Sequence, residues 1–148
     1  MHYEEREKLN HLIEHLKDGE SGFAAAADAV VNPLLKDTLM EFARQRADFA
    51  EALQLIVEES GEKAEYTGTF GGAIHRGWIN LKAAVAKRAD LAILEECEAA
   101  EDLALAAYRR AQEGGLLEIA GPIVEEQAAH IRQAHDKIKR LRDALRGS

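Results

Sequence analysis

Apolar side chains recur along most of this chain at alternating steps of four and three, the period of one helix face. The first run is Leu9, Ile13, Leu16, Phe23, Ala27 and Val30, and the second is Leu35, Leu39, Phe42, Phe49, Leu53 and Ile56. A third contains Leu91, Leu94, Leu105 and Tyr108, and a fourth contains Ile119, Ile123, Ile138, Leu141 and Leu145. The spacing predicts long helices over Tyr3 to Val31 and over Pro33 to Glu59. A third is predicted from about Ala89-Asp90 to just before Gly114-Gly115, and a fourth from about Leu116 to Leu145, bending or restarting at Gly121-Pro122. Asn32-Pro33 closes the first helix and opens the second, because Asn can cap and Pro is tolerated in the first turn. Ser60-Gly61 ends the second, glycine being the residue that best accepts a left-handed C-terminal conformation. Ile74, Trp78, Leu81 and Val85 predict a shorter helix over Phe70–Lys87, after a turn at Thr67-Gly68-Thr69. No strand-like alternation competes.

Each long stripe is broken near its midpoint by polar residues. Glu20 fills the gap in the first and Arg46 the gap in the second; Glu98 and Glu101 interrupt the third, and Glu126 and His130 the fourth. Helices of ~25 to 30 residues are ~37 to 45 Å long, so their midpoints meet whether the helices run parallel or antiparallel. The two hairpin connections are short, whereas the segment between the second and third helices is long enough to travel back along the bundle. The predicted architecture is therefore all-α: a single domain over residues 1–148, built as a ferritin-like four-helix bundle with a helical crossover.

Composition narrows the field. The chain has 148 residues, of which 47% are hydrophobic and 31% charged, as expected for one globular domain with a sizeable core. Only 2 prolines occur, which suits long helices. A net charge of -8 argues against a nucleic-acid groove. The cations Arg132, Lys137, Lys139, Arg140, Arg142 and Arg146 gather at one helix C-terminus, where positive charge complements the macrodipole, and read as a solvated face. No apolar run approaches the roughly 20 residues needed to cross a bilayer, and the acidic start (Glu4, Glu5, Glu7) lacks signal-peptide character. A cytoplasmic location is expected. Cys97 is the only cysteine, so no intrachain disulfide forms, and it reads as a small core residue.

The chemistry of the central residues is lopsided. Glu20, Glu98, Glu101 and Glu126 face one arginine, Arg46, and one histidine, His130. A buried carboxylate must be paired, protonated or bound to a cation. Arg46 can hold one or two carboxylates bidentately. The excess charge leaves three outcomes: a metal ion, shared protons, or carboxylates turned to solvent. Under the metal reading, Glu20, Glu98, Glu101, Glu126 and His130 hold iron or manganese. Dimetal bundles use Glu-x-x-His on two helices. Here the second helix has Gln45-Arg46 at that level, and Glu126 and His130 are four apart rather than three. The metal-free reading is a buried network of Glu20, Arg46, Glu98, Glu101, Glu126 and His130 with no cofactor. Gly19 and Gly22 flank Glu20, permitting close packing or a bulge that aims it inward. His11 and His15 share a face at a zinc-compatible spacing without an evident third ligand, and read as solvated. His75-Arg76-Gly77-Trp78 reads as an aromatic anchor for the crossover helix. No phosphate loop or Cys-x-x-Cys motif is present.

Several stretches carry a family likeness: Leu12-Ile13 with Lys17-Asp18-Gly19-Glu20-Ser21-Gly22-Phe23; Ala43, Arg46, Phe49 and Leu53; His75-Arg76-Gly77-Trp78 with Asn80-Leu81-Lys82. Glu96-Cys97-Glu98 with Glu101-Asp102, and Ala134-His135-Asp136 with Ile138, Leu141, Arg142 and Asp143, complete the set. In these the chain resembles uncharacterised bacterial four-helix-bundle proteins, a domain of unknown function within the ferritin-like superfamily. The resemblance implies the fold but no activity, since fold does not carry function. Two functional expectations follow. One is a non-enzymatic, stress- or maintenance-type bundle acting through a protein partner or a homo-oligomer, without nucleic acid or membrane. The other is an iron or manganese protein of oxygen or peroxide chemistry.

Overall fold

The computed structural model describes residues 1–68, 89–113 and 118–147. They form four helices: α1 (Tyr3–Ala29), α2 (Pro33–Glu59), α3 (Ala89–Gln112) and α4 (Gly121–Arg146). No strand occurs among the described residues, so the protein is an all-α bundle. No helix is long and apolar enough to cross a membrane among the described residues. The expected crossover helix at Phe70–Lys87, with Trp78 and the His75-Arg76-Gly77-Trp78 segment, lies outside the described residues. So do the Gly114-Gly115 turn and Leu116.

Local chemistry sets the helix ends. At the α1–α2 corner, Val30 and Asn32 are extended, and the Asn32 Oδ1 accepts from Leu34 N at 2.8 Å, capping α2 with Pro33 in its first turn. Lys36 donates from Nζ to Ala27 O at 2.7 Å, placing a cation at the negative end of α1. Asp90, in the first turn of α3, accepts from Val31 N and Asn32 N at 2.9 and 3.1 Å. At the end of α2, Gly61 adopts φ +84°, and Glu62 N donates to Val57 O while Gly61 N donates to Glu58 O. This is the hydrogen-bond pattern of a Schellman motif, which glycine fits because it has no Cβ to clash. The fourth helix starts at Gly121, with Pro122 in its first turn rather than inside a longer helix.

Contacts at the ends give the helix directions. Lys8, near the start of α1, donates from Nζ to Ala111 O and Glu113 O at the end of α3, while Asp90 meets the far end of α1. Hence α1 runs antiparallel to α3 as well as to α2, and α2 and α3 point the same way. Pairing of Tyr108 with Gln127, Asp102 with His135 and Glu95 with Arg146 makes α4 antiparallel to α3.

Among the described residues the core falls into two apolar clusters. One holds Leu9, Leu12, Ile13, Leu16, Leu53, Val57, Tyr108, Val124 and Ile131. The other holds Phe23, Ala26, Val30, Leu35, Leu39, Phe42, Ile93, Leu94 and Ile138. Between them lie the buried polar side chains of Arg46, Glu101 and Gln127.

One buried carboxylate ties the chain start to α4. Glu5, 1% exposed, accepts through Oε2 from Ile119 N and Ala120 N at 2.9 and 3.0 Å. It takes up donors left orphaned before the first turn, and its negative charge suits the helix N-terminus. Glu5→Ala should cost about 2 kcal/mol in chemical denaturation, the scale of a hydrogen bond to a charged group. Amide exchange at Ile119 and Ala120 should accelerate selectively; unchanged protection there would refute the role.

Candidate polar centre

The middle of the bundle is an ion pair. Arg46 projects from α2 and Glu101 from α3, with side chains 2% and 1% exposed. The Arg46 Nη2 donates to Glu101 Oε2 at 2.7 Å, its Nη1 donates to Glu101 Oε1, and its Nε donates to Gln45 Oε1 at 3.2 Å. The carboxylate is thus gripped bidentately, a geometry a guanidinium matches and an ammonium does not. The guanidinium carbon sits 5.1 Å from the centroid of Phe23, whose ring meets Phe42 edge-on at 5.6 Å. The Arg46 stem runs beside Gly19, where a Cβ would lie 3.4 Å from Arg46 Cγ, in ordinary contact.

A second buried contact completes the layer. Tyr108 Oη donates to Gln127 Oε1 at 2.8 Å, and Gln127 Nε2 donates to the Phe49 carbonyl at 3.2 Å. Tyr108 Oη, Gln127 Oε1 and Nε2, and the Phe49 carbonyl each have a partner, as burial demands. Burial pushes the Tyr108 phenol far above its usual range, with Glu101 adding to the shift against Arg46. Burial likewise pushes the Cys97 thiol well up, helped by Glu101 and Glu96. Cys97 is therefore a protonated core residue and not a nucleophile, since the thiolate is the reactive form.

Of the expected constellation, Arg46 and Glu101 meet in the core; Glu20, Glu98, Glu126 and His130 do not join them. Glu20 is half-buried at the rim and accepts from Lys17 Nζ at 2.7 Å. The slot expected for it on α1 is filled by the incoming Arg46 side chain beside Gly19. Glu98 lies one position past the core line, which passes through Leu94, Cys97 and Glu101, and it pairs instead with Arg142 of α4, both side chains mostly buried. Glu126 and His130 are 73% and 47% exposed and lie 4.0 Å apart on the outer face of α4. The buried line of α4 is Ala120, Val124, Gln127, Ile131, Ala134 and Ile138, one residue or about 100° from the line through Ile119 and Ile123. Gln127 was the residue that reasoning from Ile119 and Ile123 missed. Counting Val124, Ile131 and Ile138 together would have found it.

The donor set expected for a metal is dispersed by this arrangement. Among the described residues, no group of three or more His, Cys, Asp or Glu side chains is placed to hold an ion. His11 and His15 stack edge-on at 4.8 Å. His11 is exposed, whereas His15 is partly buried, and burial followed by the charges of His11 and Arg110 lowers its pKa and favours the neutral ring.

If the pair is what organises the centre, removing one partner strands the other charge. Arg46→Leu should lower stability by about 3–5 kcal/mol in urea unfolding. Adding Glu101→Leu should restore most of that loss, because the uncompensated carboxylate is gone. A double variant as unstable as the single one would contradict this account.

Residues 4–114 match the model of a family described as a domain of unknown function (DUF2383), about three quarters of the chain. The match spans α1, α2 and α3 and stops before α4. No curated protein matches the chain. The chain belongs to this domain family.

Proposed function

We propose that this family member is a non-enzymatic, ferritin-like bundle of the cytoplasm that acts through protein contacts or self-association, its polar centre serving the fold rather than a reaction. One observation carries the reading: both carboxylate oxygens of Glu101 are taken up by Arg46 at the middle of the bundle. Ferritin-like oxidases place two metal ions between their helices, held by inward glutamates and histidines. Here a guanidinium supplies the positive charge, and the other candidate ligands face Lys17, Arg142 or solvent. The helix directions support the ferritin-like assignment, since α2 and α3 run the same way. Bacterial origin is part of the same reading and rests on the sequence resemblance.

Exposed apolar side chains support a role in association. Val31 and Leu34 are 80% and 75% exposed at the α1–α2 corner. Scattered surface hydrophobes need no explanation, but two large ones at one corner give a partner something to cover.

Two measurements test the proposal. Protein purified without chelator should carry substoichiometric iron and manganese, unchanged by Glu98→Ala. Near-stoichiometric metal that is lost in that variant would replace the proposal with a metalloenzyme. Sedimentation should show a mass that rises with concentration and falls back in Leu34→Glu. A monomer at every concentration that also retains no partner would refute the role in association.

A further inference from the structure

A cleft of about 150 Å³ opens between α1 and α3, alongside the buried ion pair. Missing side-chain volume makes it: Gly19 and Gly22 line it from α1, and Ala100 and Ala104 from α3. Exposed Leu103 and the half-buried ring of His15 complete the surface that a visiting molecule meets. The charged groups behind that surface are out of reach. Arg46 and Glu101 are each 1% exposed and bonded to one another, and Asp18 is 4% exposed and already engaged. His15 favours the neutral ring, because burial, then the charges of His11 and Arg110, hold its pKa below the usual range. The accessible lining is therefore almost wholly apolar.

That lining decides what the cleft holds. A water molecule inside a protein needs about two to four polar partners. These walls do not supply them, and displacing poorly held water by an apolar group gains affinity. An ion drawn into the cleft would give up its hydration with no accessible partner in return. Apolar cavities of about 150 Å³ stay dry and take molecules the size of benzene. Dispersion adds to this, since an atom that fills a gap restores contacts that the wall atoms otherwise lack.

We propose that this cleft binds a small, uncharged aromatic hydrocarbon of about the size of benzene or toluene. The ring lies between the methyl groups of Ala100 and Ala104 and the α1 backbone at Gly19, with Leu103 beside it. No hydrogen bond, charge or covalent step takes part, and the site does not depend on how the bundle associates.

Benzene is the probe, titrated into the full chain in sealed tubes with amide chemical shifts as the readout. Shifts that saturate at millimolar concentration are expected, centred on Gly19, Gly22, Ala100 and Ala104. N-methylpyridinium matches toluene in shape but carries its charge within the ring. It should bind at least about tenfold more weakly than benzene, because that charge cannot be left in water. Ala100→Leu, at a partly exposed helix position that tolerates leucine, fills the cleft. It should abolish the saturable shifts and leave the melting temperature near that of the parent chain. Ala104→Leu is the second filling variant, and the N-methylpyridinium comparison needs no variant at all. Absence of saturable shifts, N-methylpyridinium binding as tightly as benzene, or benzene binding unchanged in a folded Ala100→Leu protein would each overturn the proposal.

Discussion

A bidentate ion pair held almost wholly out of water constrains everything around it. Desolvating a guanidinium and a carboxylate costs several kcal/mol each, and their attraction offsets this only when the geometry is good. The bundle supplies that geometry from several helices. The Arg46 stem runs beside Gly19, Phe23 presents its ring to the guanidinium, and Gln45 Oε1 accepts a hydrogen bond from Nε. Glu101 is set by its place on the α3 core line between Cys97 and Tyr108. A hydrophobic pair of equal volume would hold the fold about as well. What the pair adds is discrimination: one register brings Arg46 opposite Glu101, and any helix rotation that separates them strands two charges.

Much of the fold was readable from residue spacing, for a physical reason. Runs such as Leu35, Leu39, Phe42 and Leu53 on α2 are buried as the period requires, and Asn32-Pro33 and Ser60-Gly61 end helices through capping chemistry that short sequence signals encode. The centre was half readable. Arg46 and Glu101 were legible because each replaces an apolar residue on a stripe whose line is unambiguous. Glu126 and His130 misled because Ile119 and Ile123 suggested a line one residue away from the true one through Ala120, Val124 and Ile131. Alanines weaken the contrast on which periodicity depends, and the true line contains two, Ala120 just before α4 and Ala134 within it. Glu20 misled for a different reason: a side chain arriving from α2 took its place, and no single helix carries that information. Glu5 was read only as part of an acidic start, because its partners at Ile119 and Ala120 lie at the far side of the chain.

The ends of the helices are tied by charge as carefully as the middle. On α1, Glu5 meets the amides before α4 and Lys8 meets the last carbonyls of α3, so one turn of one helix satisfies both dipole ends at that corner. At the opposite end Asp90 and Lys36 do the same for the α1–α2 corner. Connections that bring few apolar contacts are thereby fixed by groups reaching in from the neighbouring helices.

A core divided by a polar slab need not behave as one body. Among the described residues, leucines and isoleucines below Arg46 and Glu101 form one apolar cluster, and the phenylalanines and small residues above form another. Openings that expose only one end would leave the other assembled, at less than the free energy of whole-molecule unfolding. The charged layer would act as a firebreak between two foldons, letting the α1–α2 corner loosen while the end anchored by Glu5 stays closed.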